Sequence, residues 1–391
     1  MDDAREQVQV PEDPAEQKEV KVLPERKQGA MDLPFLLIVI LLTSIGLIMM
    51  FSASYAAAYY TEGSSTHFLV KQGSVAVAGL VLALIISRVN YQYFRMFSLP
   101  ALLVSLVLLA LVPFIGSEGG GATRWIYFGP ISVQPSEVAK LGVIMSFAYF
   151  ISAFRDKMRT FRYGILPFVL ILGVICVLLY LQPHVSGMIL IMAIGAAMMF
   201  VGGVHWLWFA GLGAAGVAGA YWVITHMSHS LTRLQIWRDP WSDAAGAGYQ
   251  TVQSLYAVGS GGLFGLGLGR SRQKYLYLPE QHNDFVFAIV CEELGMVGAC
   301  LVLFLFALLI IRGYWIALRA RDRYGSLLVT GITTLFALQT FLNIAVVTNL
   351  IPVTGVSLPF FSYGGSSLLL NLAEMGIILS VSRQIPAKKA G

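Results

Sequence analysis

The chain has 391 residues, 57% hydrophobic and only 12% charged, with 26 Lys and Arg against 21 Asp and Glu for a formal net charge of +5. A soluble globular domain carries about 25% charged residues. This deficit, with a mean hydropathy of +0.72, excludes that class and implies an all-α polytopic membrane protein. Cys176, Cys291 and Cys300 all lie in apolar stretches, which argues against a disulfide framework and for buried thiols.

Residues 1–32 are polar, rich in Glu, Lys, Gln and Pro, with no apolar core. They read as a disordered cytoplasmic tail without a signal peptide. Ten apolar runs then follow, each long enough to cross about 30 Å of hydrocarbon: 34–53, 67–87, 94–115, 134–153, 163–182, 186–203, 205–225, 285–312, 326–350 and 358–382. The sixth and seventh are separated by almost nothing, so the count rests partly on charge. With the N-terminus inside, the inner loops hold Arg88 and Arg95, then Arg155, Lys157, Arg159 and Arg162, then Arg312, Arg319, Arg321 and Arg323; residues 386–391 form a short C-terminal tail with Lys388 and Lys389. The short outer loops hold little beyond Arg124. This asymmetry supports ten spans over 33–385 with both ends cytoplasmic. One outer connection, 226–284 between the seventh and eighth spans, is long enough to expect a function of its own.

Four stretches could carry chemistry. In "SVQPSEVAK", Glu137 and Lys140 are three residues apart, side by side on a helix. Opposite charges inside a span mark a polar cavity or a structural ion pair. Arg124, in "GATRWIYFGP", lies close in sequence; beside Trp125 and Tyr127 it also suits an interfacial anchor. The long loop carries Gly259, Gly261, Gly262, Gly265, Gly267 and Gly269, then Arg270, Arg272 and Lys274. No strand precedes the glycines and no GK[ST] follows, so a nucleotide loop is rejected. Tight turns or close approach to a ligand explain them better. The cations suit a phosphate-bearing lipid, or unspecific headgroup attraction.

"LPEQHNDFVFAIVCEELG" ends that loop. In an extended chain Glu280, His282 and Asp284 would share one face and could hold a divalent cation or activate a hydroxyl; the same residues suit solvated helix capping. Glu292 and Glu293 follow in an apolar helix, where a carboxylate pair needs a cavity or a cation. Last, "IPVTGVSLPFFSYGGSSLLLNL" breaks a span with Pro352, Pro359, Gly364 and Gly365, placing Ser362, Ser366 and Ser367 at membrane depth. Irregular backbone there is tolerated where protein buries it or a cavity solvates it.

Together these blocks resemble the SEDS family (shape, elongation, division and sporulation), the FtsW, RodA and SpoVE group of bacterial cell-wall polymerases. "RWIYFGPISVQPSEVAK", the long-loop block and "IPVTGVSLPFFSYGGSS" carry the resemblance, over about 34–385. "GLGRSRQKYLYLPE" leans to the FtsW and SpoVE branch, and so to division or sporulation. The resemblance implies ten transmembrane helices in the bacterial cytoplasmic membrane, a large external loop, and an active site on the external face. It implies peptidoglycan glycosyltransfer, joining lipid II into β-1,4 glycan strands with release of undecaprenyl pyrophosphate. Its essential carboxylate falls on Asp284, and its cavity-lining pair on Glu137 and Lys140. A class B penicillin-binding protein is the implied partner, beside lipid II, the nascent glycan strand and membrane lipids; no nucleic acid is expected. Two positions depart from the pattern: Asn283 stands where Thr is common, and "QPHVSG" puts His184 at a usually acidic position.

The donor is an α-linked sugar pyrophosphate and the product bond is β, so one inverting displacement is expected, with Asp284 as the base for the acceptor hydroxyl. A divalent cation (Mg or Mn, with Asp284, Glu280 and His282 as candidate ligands) or Arg and Lys side chains would stabilise the leaving pyrophosphate. Arg124, Glu137, Lys140, Arg270, Lys274, His282, Ser362 and Ser366 are the substrate-binding candidates. A lipid flippase and a non-catalytic scaffold for a transpeptidase are the competing readings; both suit broken helices and an intramembrane charge pair.

Overall fold

The structure, a computed structural model, describes residues 29–119, 122–129, 131–226 and 228–385. Most of the expected N-terminal tail and the whole C-terminal tail lie outside them. The first helix starts for local reasons: Asp32 accepts from the Phe35 amide at 3.0 Å, and a proline in the first turn presets φ. Helix α1 then runs over Leu33–Glu62 and stops at Gly63, whose φ of 69° lets its amide return to the Tyr59 carbonyl. At 1.5 Å per residue, its 30 residues span about 45 Å, more than the hydrocarbon thickness, so its ends extend beyond it.

Helices α2 (His67–Ile86), α3 (Gln92–Met96) and α4 (Ser98–Ile115) follow. An antiparallel sheet comes next, built from β1 (Ser117–Gly119), β2 (Ala122–Phe128) and β3 (Ile131–Val133) in that order. It is the exception to the all-α expectation. Strand β2 is rich in the β-branched and aromatic residues that suit a pleated surface, and it sets Ile126 opposite Val133 and Tyr127 opposite Ser132. The remaining helices are α5 (Pro135–Ala153), α6 (Phe161–Gly164), α7 (Leu166–Tyr180), α8 (Val185–Gly202), α9 (Trp206–His226), α10 (Ser228–Arg238), α11 (Tyr249–Ser260), α12 (Val286–Arg319), α13 (Arg323–Val347) and α14 (Gly365–Arg383).

Among the described residues, 9 helical segments are long and apolar enough to cross a membrane, with α6 and α7 forming one of them. Nine of the ten expected spans coincide with these. The other, 205–225, falls on α9, a helix of 21 residues. The spans form an inner and an outer set. In α14, α5 and α13 the buried share of the apolar window is 78%, 67% and 61%; in α2 and α4 it is 22% and 28%. So α5, α13 and α14 form the core, while α2 packs on α14 and α4 on α5, with residues such as Phe114, Leu103, Val70 and Val77 turned outward. Large apolar side chains directed out of a bundle of this kind belong against lipid tails.

Hydrogen bonds gather the connections at two ends. At one, Tyr91 Oη and Gln92 Nε2 donate to Asp322, Arg323 donates to the Gly202 carbonyl, and Ser380 donates to the Val89 carbonyl. At the other, the sheet, the 181–184 turn, the long loop and the 352–364 segment meet. The long loop contains α10 and α11, and Ser254 on α11 donates to the Val347 carbonyl at 2.8 Å. Helix α12, expected as one continuous span, is interrupted at Gly295 (φ 68°, ψ −170°).

Candidate active site

Asp284 sits at the end of the long loop, two residues before α12. The extended conformation expected for 280–284 is not formed. Glu280 has a left-handed φ of 54°, and the amides of Asn283 and Phe285 both donate to its carbonyl, at 3.0 and 3.3 Å. A turn replaces the strand, so Glu280, His282 and Asp284 do not share a face. Glu280 is exposed and accepts from the Asn283 side chain. His282 turns the other way: its ring stacks on Phe68 of α2 with centroids 5.2 Å apart and lies 5.9 Å from the Tyr363 ring. Among the described residues no three His, Cys, Asp or Glu side chains gather as a cation site. The expected ligand set of Asp284, Glu280 and His282 therefore does not fit a divalent ion, because the turn separates its members.

What the turn does instead is fix Asp284. Asn343 of α13 donates to the Asp284 carbonyl and to the Val356 carbonyl, both at 2.7 Å. Ser362 donates to the Asn283 carbonyl at 2.7 Å and accepts from the Leu358 amide, and the Tyr363 amide donates to the His282 carbonyl at 2.8 Å. The broken 352–364 segment is thus the scaffold of the turn. Its backbone is satisfied by protein, including Gln72 of α2, which donates to the Ser362 carbonyl and accepts from the Gly364 amide. Gly355, at φ 70°, lies against the carboxylate: a Cβ there would stand 3.1 Å from Asp284 Oδ2. Burial pushes the Asp284 carboxyl up to about 6, with Glu280 adding to the rise and Arg124 opposing it. Burial holds His282 below the usual imidazole range against the pull of Glu280, so its ring is neutral at pH 7.

A second group of charges lies behind the sheet. The Lys140 ammonium and the Glu137 carboxylate meet at 2.7 Å, both buried. Ser367 of α14 donates to Glu137 at 3.5 Å, and Ser366 is buried with its hydroxyl unpartnered. Glu374, two turns deeper on α14, is buried within electrostatic range of Lys140 and Glu137. Arg124 of β2 donates through Nη2 to the Pro183 carbonyl at 2.6 Å. The next residue, His184, is buried at the N-terminus of α8. Arg124 therefore links the two groups, since its charge acts on both Asp284 and His184. Glu374, Asn343 and Gly355 lie outside the residues that the sequence patterns single out. Of these Glu374 was detectable, because a lone carboxylate in an apolar span is itself a signal.

The cationic cluster of the long loop is divided. Arg270 and Arg272 are exposed, but Lys274 is buried and bonded to Glu293 at 3.2 Å, Ser52 at 3.2 Å and the Gly269 carbonyl at 2.6 Å. Its ammonium is committed to the protein rather than turned to a ligand, which corrects its place among the substrate-binding candidates. Glu292 and Glu293 are likewise anchors. Glu293 accepts from Ser52 and from the amides of Gly269 and Ser271; Glu292 accepts from the Ser271 hydroxyl and the amides of Arg272 and Gln273. Buried carboxylates surrounded by backbone N–H groups are well stabilised without a cation. The glycines allow this contact: at Gly265 (φ 77°) a Cβ would stand 2.1 Å from the Glu293 carbonyl.

Residues 32–386 match the family model described as cell cycle protein, of FtsW, RodA and SpoVE. A probable peptidoglycan glycosyltransferase FtsW of Trichlorobacter lovleyi is 40% identical over 353 residues, covering 90% of this chain and 93% of the relative. Stage V sporulation protein E of Bacillus subtilis is 42% identical over 359 residues, covering 91% and 98%. Among solved structures, a peptidoglycan synthase complex that coordinates polymerization and crosslinking superposes with a TM-score of 0.77 at 29% identity, covering 90% of this chain and 98% of that one. The rod shape determining protein RodA of Thermus thermophilus gives 0.66 at 29%, covering 92% and 99%. With nearly the whole chain matched in sequence and in fold, the protein belongs to the FtsW, RodA and SpoVE family.

Proposed function

We propose that this protein is an inverting peptidoglycan glycosyltransferase that polymerises lipid II, with Asp284 as the general base. The observation that carries this reading is a half-buried carboxylate whose proton affinity is raised toward neutrality, fixed by its own backbone and within range of the Arg124 charge. A carboxyl near pH 6 is ionised at neutral pH yet basic enough to accept a hydroxyl proton as the transition state forms. In the step, the acceptor sugar oxygen bonds to the anomeric carbon as the bond to the pyrophosphate oxygen breaks on the opposite face. The acceptor proton passes to Asp284 Oδ, and the pyrophosphate leaves with its bonding electron pair. Arg124 and Lys140 are the cations that would stabilise the leaving charge, preorganised by Pro183 and Glu137.

A donor with one end in lipid and one in water explains why this chemistry sits where spans meet loops. The long loop and Asp284 lie on the external face in this reading, with both termini cytoplasmic, because Arg155, Lys157, Arg159, Arg162, Arg319 and Arg321 occupy connections at the opposite end. A class B penicillin-binding protein is the proposed partner, in keeping with the relative solved as a synthase complex. A divalent cation, if the reaction needs one, would come with the pyrophosphate rather than from a cage of His and carboxylates. The test is polymerisation of purified lipid II. Asp284→Asn should fold, bind the partner and lose at least about 100-fold in rate, the usual reach of a general base. Transport of lipid II in liposomes with no polymer formed would replace this reading with the flippase.

A further inference from the structure

His184 is the feature that the proposed chemistry leaves unexplained. It caps α8, is 6% exposed, and its Nδ1 is buried without a hydrogen-bond partner. The ring lies over the first turn of its own helix: a Cβ on Gly187 would come within 2.8 Å of Cε1 and 2.9 Å of Nδ1. Two cations bear on it, Arg124 of β2, bonded to the adjacent Pro183 carbonyl, and Lys140 of α5, paired with Glu137. Of the other elements packed on α8, α7 carries Tyr180 and Cys176 in its sequence, and α13 carries Arg323, bonded to Gly202 at the far end of α8. Among the described residues, the charges that bear on the ring are Arg124 and Lys140; Glu137 and Glu374 bear on Lys140. An unpartnered imidazole nitrogen beside two cations at a helix N-terminus lacks one kind of partner, an anion.

We propose that Arg124, Lys140 and His184 form one anion subsite for the diphosphate of a lipid-linked sugar, and that His184 takes up a proton as the diphosphate docks. The proposal rests on the glycosyltransferase reading for its substrate class. Before binding, burial and then the charges of Arg124 and Lys140 hold the imidazole down to about 3, so it is neutral. A docked dianion offsets both cations and favours imidazolium, which then donates to a phosphate oxygen. The proton comes from solvent and returns there when the diphosphate leaves. By linkage, binding tightens as pH falls toward the pKa of the bound state. His184 is thus a specificity and positioning residue for the leaving group, separate from the base at Asp284.

The experiment is binding of a short-chain prenyl diphosphate sugar, a diester diphosphate that stays a dianion over this range, to the detergent-solubilised full-length protein by calorimetry between pH 8 and pH 5.5, in buffers of different ionisation enthalpy. Wild type should bind about tenfold or more tighter at the acid end and take up close to one proton at His184. His184→Asn should lose close to one proton of that uptake and about tenfold of the pH dependence. Asp284, near 6 and under the same Arg124 charge, adds its own share of uptake to both proteins, so the proton assigned to His184 is the difference between wild type and His184→Asn. Binding by wild type that is flat with pH, no binding at all, or an unchanged slope in His184→Asn would overturn the proposal. Should His184→Asn fail to fold, His184→Gln takes its place with the same two outcomes. Lipid II polymerisation by the same preparations judges the underlying reading separately: polymer with no linked proton uptake removes the His184 subsite and leaves the glycosyltransferase standing.

Discussion

At the scale of single residues, the environment of Asp284 sets a pH dependence. Burial and Glu280 raise its carboxyl to about 6 and Arg124 opposes them. The base form is therefore present above that value and lost as pH falls through it. Polymerisation rate should have an acidic limb near pH 6, where an unperturbed aspartate would place it near about 4. Glu280→Gln should move the limb to lower pH by removing a like charge, and a pH–rate profile checks the sign. The buried pair Glu137–Lys140 makes a second prediction. Lys140→Met alone strands a carboxylate and should cost about 3–5 kcal/mol of stability, whereas Glu137→Met with Lys140→Met should recover most of it. Thermal unfolding in detergent measures both, and equal losses for single and double variants would contradict the pairing.

At the scale of elements, the glycine-rich loop and the first turns of α12 act as one unit. The carboxylates of Glu292 and Glu293 hold the loop by its amides, and Gly265 and Gly295 allow the backbones to meet. Gly265→Ala places a Cβ 2.1 Å from a carbonyl oxygen at φ 77°. Left-handed backbone costs an alanine about 1 kcal/mol by itself, and the clash adds to that. The loop should detach locally, seen as faster proteolysis between Gly259 and Lys274 while the spans stay protected. Here the sequence was only partly legible. Glycines before cations were readable as tight turns, because φ preference is a property of the residue. Sequence alone groups Lys274 with the phosphate-binding cations, because its partner Ser52 lies 222 residues away and no local pattern encodes such a contact. The turn at 280–284 is not legible for the same reason: Asn343, Ser362 and Tyr363 impose it from two other elements.

At the scale of the whole molecule, nine of ten expected spans were legible because apolar length and loop charge are local and strong signals. The tenth falls on α9, a helix of 21 residues. The proposed orientation is open to a direct check. A cysteine in place of Tyr277 should react with an impermeant maleimide on intact cells, and one in place of Lys157 only after permeabilisation; the reverse pattern would invert the protein. The family's blocks pointed to Asp284, Glu137 and Lys140, but the link through Arg124 to His184 depends on how β2 lies over the 181–184 turn, which only the fold reveals. The central claim meets its most direct test in polymerisation of purified lipid II by the detergent-solubilised protein with its cognate transpeptidase, comparing wild type and Asp284→Asn. Glycan strands from wild type and none from the folded variant are the result expected; equal polymer from both, or from neither, would contradict the assignment of Asp284 as the base of a glycosyltransferase.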